Sequence, residues 1–112
     1  LAARFHGDMH RVDELRADTR LTILERCDAL RRPERFELIL LACEADHRGR
    51  LGWEERPYAA AARWRAMLAA VRAVDAGAIA RELAAEGRDK AQAIAQAVAA
   101  ARVEAIKRLP AL

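Results

Sequence analysis

Apolar residues recur along this chain every three to four positions, and no stretch of alternating apolar and polar residues holds for long. That period predicts helices throughout. Leu1, Phe5, Met9 and Val12 share one face of a first helix running from Leu1 to about Val12, mildly weakened by Gly7. "RADTR" supplies the next start, with Asp18 as cap and Thr19 opening a helix whose apolar face is Leu21, Leu24 and Cys27, with Ile23 or Leu30 beside it. Pro33 stops that helix and suits the first turn of the next, whose stripe is Phe36, Ile39, Leu40 and Cys43 and which ends near Asp46 or His47.

Gly49 and Gly52 mark a break, since each can take the positive φ that other residues avoid. Pro57 ends the loop. "PYAAAARWRAMLAAVRAV" follows as a strong helix with Ala60, Trp64, Met67 or Leu68, and Val71 inward. Asp75 is placed to cap a shorter helix from Ala76 to about Ala85, with Ile79 and Leu83 inward. "EGRD" is a turn, and Asp89 is placed to cap a last helix carrying Ile94, Val98, Ala101 and Ala105, with Ile106 and Leu109 extending it to Pro110. The expected fold is all-α, about six helices in a bundle or array. No internal repeat is evident.

Composition sharpens this picture. The chain has 112 residues, the size of one domain. Alanine supplies about a quarter of them, which favours helix and close helix contact but buries little surface per residue. A thin core follows, one that leans on a neighbour. The formal charge is +3, too mild by itself to announce nucleic-acid binding. Its distribution is uneven: residues 1–57 carry 11 basic and 12 acidic side chains, residues 58–112 carry 9 and 5. Cys27 and Cys43 have no CxxC spacing and fall on apolar faces, as buried thiols in a reducing cytoplasm would. No secretory leader is visible, and no apolar run approaches the roughly 20 residues of a membrane span. The start at Leu1, inside a helical pattern, reads as a cut within something longer.

Candidate chemistry is sparse. His6 and His10 are four apart and share a helical face, a spacing that two metal-binding imidazoles can use. Glu44 and Asp46 diverge by about 200° on a helix, poor geometry for paired carboxylates; "EADHRGR" reads instead as a structural corner in which Asp46 accepts loop donors and Arg48 and Arg50 meet the helix's last carbonyls. Trp53, Tyr58 and Trp64 could stack on bases, though Trp64 sits on the apolar stripe. The arginines of the second half are the best binding candidates, because a guanidinium grips phosphate with two parallel donors. There is no glycine-rich phosphate loop, GxSxG or paired-carboxylate motif, so the chain shows no catalytic machinery of its own.

"ILERCDALRRPERFE" and "EADHRGRLGWEERPY", flanked by "RFHGDMH" and more loosely by "AVRAVDAGAIA" and "ARVEAIKRL", resemble the C-terminal part of bacterial multifunctional CCA-adding enzymes, tRNA nucleotidyltransferases of the poly(A) polymerase class, some of which carry an HD phosphohydrolase domain. The resemblance implies a parent enzyme that adds CCA to tRNA 3′ ends from CTP and ATP. Its ATP- and CTP-reading residues and its magnesium-binding carboxylates lie in an N-terminal domain absent here, and a divalent metal would sit in the HD domain. It implies that residues 1–48 are the end of that HD domain and its connecting helices. Residues 49–112 would then be the helical body and tail that bind tRNA, the whole able to pack as one unit. On that reading Arg63, Arg65, Arg72, Arg102, Lys107 and Arg108 contact RNA. His6 matches a family histidine, although Gly7 replaces the aspartate that follows it in some members. Glu44, Asp46, Gly49 and Arg50 form a structural signature. The fragment alone would be catalytically silent, bind no cofactor, avoid membranes, and leave homodimerisation open. The rival reading is a stand-alone helical protein-interaction module without RNA function.

Overall fold

The computed structural model describes residues 7–49 and 58–110. Among them are five α-helices: α1 (Ala17–Arg26), α2 (Pro33–Arg48), α3 (Ala59–Arg72), α4 (Ala76–Ala85) and α5 (Ala91–Lys107). Residues 7–10 are also helical, and a short 3-10 turn spans Val12–Glu14. No strand occurs among the described residues, so the fold is all-α. None of the helices there is long and apolar enough to cross a membrane.

Helix ends follow local chemistry, with some departures from the sequence reading. Pro33 occupies the first position of α2, where its missing N–H is not needed. Asp75 caps α4, accepting the Ala78 N–H at 2.9 Å. Asp18, in contrast, is not the cap of α1. The helix starts at Ala17, and Asp18 lies inside the first turn, where its carboxylate accepts the Thr19 N–H at 2.8 Å. That position still favours a negative group, because the first N–H groups of a helix are unsatisfied. Asp89 does not cap α5 either: Lys90 holds that place in an extended conformation, without a side-chain bond.

Two left-handed residues stop helices. Gly87 (φ 71°) ends α4, with Arg88 N–H returning to Leu83 O at 2.8 Å and Gly87 N–H to Ala84 O at 3.0 Å. Asp28 (φ 56°) ends α1 with the same pair of bonds, Ala29 N–H to Leu24 O at 2.9 Å and Asp28 N–H to Glu25 O at 3.0 Å. Gly49 needs no such freedom. It continues the right-handed turn at φ −73°, and a Cβ there would approach Ala45 O to 3.2 Å.

Helix α3 carries the centre of the core. It packs on α2, on α5 and on the 3-10 turn, while α5 also packs on α1 and α4. Its stripe of Ala60, Ala61, Trp64, Met67, Leu68 and Val71 is buried. Phe36 of α2 meets Trp64 edge-to-face at 6.1 Å, a favoured arrangement for aromatic quadrupoles. One core joins Met9, Leu24, Leu40, Trp64 and Ile106, drawing on both sides of residue 49. Leu83 and Val98 are buried outside it, so α4 rests on a thin local contact with α5. The result is elongated, 58 × 26 × 19 Å.

Candidate nucleic-acid interface

The arginines and lysine singled out in the sequence fall on two sides of α3. Arg63 and Arg65 are two positions apart and therefore diverge. Arg65 turns toward α2, where both oxygens of Glu37 hold it in a fork, with contacts of 2.6 to 3.0 Å. That hydrogen bonding raises the Arg65 pKa and lowers that of Glu37. Arg63 turns the other way, is largely buried, and pairs with Asp13. Arg72, the last residue of α3, is exposed and makes no ion pair with a described residue.

The remaining candidates lie on α5. Arg102 is half-buried beside Glu25, Asp28, Leu30 and Arg31 at the end of α1, with its Nε buried and unbonded among the described residues. Lys107 pairs loosely with Glu104 at 3.6 Å and, with Val103, borders a second cleft against Arg16, Ala17 and Asp18 at the start of α1. Arg108 follows, exposed. The α1–α5 seam therefore carries cations at both ends. Arg16 is itself bound to Asp18, at 2.6 and 3.1 Å, and that bond raises the Arg16 pKa and lowers the Asp18 pKa.

Two residues of this seam, Arg16 and Arg20, were missed in the sequence. The signal was there for Arg20: with Leu24 and Cys27 four and seven positions on, it sits in register with the buried stripe of α1. It lines a cleft with Arg63, Met67, Ile106 and Leu109.

The "EADH" corner is a cross-chain junction. Tyr58 Oη lies 2.9 Å from His10 Nδ1, and His10 Nε2 lies 3.3 Å from Asp46. The His47 ring stacks obliquely near Tyr58, with centroids 4.9 Å apart. Glu44 pairs with Arg48 one turn on, at 3.6 Å. Burial first, then the negative field of Cys43, Asp46 and Glu44, holds the Tyr58 phenol protonated well above its ordinary range. Tyr58 thus serves the junction rather than offering a ring for stacking, and Trp64 is fully buried. Trp53, Gly52, Arg50, Pro57 and His6 lie outside the described residues. The divalent metal implied for an HD domain finds no ligand set among the described residues: no three His, Cys, Asp or Glu side chains could hold an ion there. His10 is engaged at both ring nitrogens, by Asp46 and Tyr58. Cys27 and Cys43 are buried, and burial raises both thiol pKa values.

What these features define is an alanine-rich helical array with a cation-bearing seam and no converged catalytic cluster among the described residues. No family model matches the chain, and no solved structure matches it. Curated relatives do. The chain is 54% identical over 109 residues to the Multifunctional CCA protein of Azoarcus sp. (strain BH72), 55% over 106 residues to that of Burkholderia multivorans, and 56% over 107 residues to that of Aromatoleum aromaticum. These alignments take in 95–97% of this chain and 25% of each relative. The chain is therefore homologous to a C-terminal region of the multifunctional CCA proteins, and it spans about a quarter of the length of the relatives it matches.

Proposed function

We propose that this chain is the tRNA-binding and scaffolding part of a CCA-adding tRNA nucleotidyltransferase, an enzyme that extends tRNA 3′ ends using ATP and CTP in the cytoplasm. The observation that carries the reading is identity of 50–56% over nearly the whole chain to proteins named for CCA. Magnesium, ATP and CTP belong on this reading to a nucleotidyltransferase domain outside this chain, and the divalent metal to the HD domain. Any homodimer would be a property of the whole enzyme.

The chain's own task is to hold RNA. Duplex RNA is recognised by shape and by phosphate contacts, which scattered arginines on helices can supply. Arg65, Arg72, Lys107 and Arg108 are the exposed members of the predicted set, Arg72 and Arg108 making no ion pair with a described residue, and Arg102 and Lys107 flank the α1–α5 seam. Arg65 and Arg63 reach RNA phosphate by exchanging their carboxylate partners, Glu37 and Asp13.

The test is a tRNA titration of the 112-residue chain between 50 and 200 mM salt. Binding should weaken steeply, with a logarithmic slope of several units, and an Arg72→Gln, Arg108→Gln double variant should reduce that slope by about 2. Affinity that is flat with salt, or equal for tRNA and an acidic protein, overturns the reading.

A further inference from the structure

We propose that the cleft between α1, α3 and α5 is a binding site for a single nucleotide unit, its base lying on Met67 and Ile106 and its phosphate gripped by Arg20. In placing an RNA nucleotide there it rests on the RNA reading above; as a nucleotide site it stands on the cleft itself.

The cleft has a volume of about 240 Å³. That is below the range of roughly 300–1,000 Å³ for pockets that enclose drug-sized ligands, and it suits one ring system with its anionic group. The floor is apolar: Met67 and Ile106 are core residues, and Leu109 and Pro110 close one end. A flat base gains from such a surface, and a thioether adapts to an aromatic face.

Both charged residues of the lining are arginines, Arg20 and Arg63, and no carboxylate borders the cleft among the described residues. Their situations differ. Arg63 is neutralised by Asp13. The Nε of Arg20 is buried without a hydrogen-bond partner among the described residues, and its Nη1 meets the Met67 Sδ at 4.0 Å, a weak acceptor. A guanidinium whose Nη1 has only a weak thioether acceptor is unfavourable by itself, and a phosphate oxygen is the acceptor that its fork geometry fits. An apolar floor under an unsatisfied arginine selects a ligand with both a hydrophobic plane and an anion. A nucleotide has both, and a nucleoside or inorganic phosphate has one each.

Amide chemical shifts of the isotope-labelled 112-residue chain, titrated with AMP, CMP, adenosine and inorganic phosphate, test the site. AMP or CMP should shift Ala66, Met67, Ile106 and Leu109 saturably, with adenosine and phosphate each at least about tenfold weaker. Arg20→Met, which keeps the alkyl stem over the cleft, should weaken AMP about tenfold or more. Ala66 lines the cleft from an exposed position, so Ala66→Trp should fill it without disturbing the core and abolish binding, and this variant decides between the outcomes if Arg20→Met fails to fold. A single-stranded RNA tetramer that competes with AMP identifies the occupant as an RNA nucleotide; one that does not leaves a free nucleotide as the occupant and supports the site. No saturable shifts, shifts elsewhere, or wild-type AMP affinity in Ala66→Trp overturns the proposal. tRNA binding retained in that case leaves the proposed function standing, and nucleotide binding without tRNA binding does the reverse.

Discussion

The indole N–H of Trp64 donates to the backbone carbonyl of Met9 at 3.0 Å, inside the core and across 55 positions of sequence. This bond ties the helical residues 7–10 to the centre of α3. Trp64→Phe removes the donor, strands a buried carbonyl and leaves a void beside Phe36. The expected loss is about 2–4 kcal/mol, read from urea unfolding followed by circular dichroism.

Tyr58 gives the corner a pH signature. Its folded pKa is raised, so the folded state keeps its proton where the unfolded chain, titrating near 10, releases it. That contribution is complete below about pH 10 and falls as pH rises toward the folded value, by up to about 1.4 kcal/mol per pH unit. The raised Cys27 and Cys43 thiols act with the same sign from a lower starting point. Tyr58→Phe should cost about 1 kcal/mol at neutral pH through the lost bond to His10. It should also flatten the decline above pH 10 relative to wild type. Parallel curves for the two proteins would refute this assignment.

Asp28 stands where a glycine is easiest. A left-handed φ of 56° crowds its Cβ, and its ion pairs with Arg31 and Arg32 are long, both 3.8 Å. Asp28→Gly should therefore be neutral to stabilising, by up to about 1 kcal/mol, and Asp28→Ala destabilising by about 1 kcal/mol. Thermal melts of the two variants should move in opposite directions or differ by several degrees.

The two aspartates that precede helices are not equivalent. Asp75 bonds into α4 and Asp89 does not bond into α5. Asp75→Ala should cost about 1 kcal/mol, and Asp89→Ala should stay within about 0.5 kcal/mol of wild type. Equal losses would place the second cap at Asp89 after all.

Glu37 holds Arg65 away from other anions. Glu37→Gln frees the guanidinium and adds one net positive charge, so tRNA affinity should rise and the salt slope should steepen by about 1. Unchanged binding would remove Arg65 from the interface.

The sequence by itself determined the order of the five α-helices and most of their buried stripes, though not that Val12 lies in a 3-10 turn or that α1 ends at Asp28. Phe36, Leu40, Cys43, Trp64 and Val71 were legible because a period of 3.6 residues is a local property, and so were the starts at Pro33 and Asp75, which depend on neighbours within one turn. Homology to the CCA proteins was legible for a related reason, since "DALRRPERFE" and "EADHRGRLGWEERPY" are contiguous strings. Only the tertiary structure decided which charges are committed. Arg65 meets Glu37 from 28 positions away, His10 meets Asp46 from 36, and Tyr58 meets His10 from 48. The Arg20 cleft likewise needs three helices at once. Pairings of that span depend on how helices dock, and docking is set by the sum of many small contacts that no single window of sequence contains.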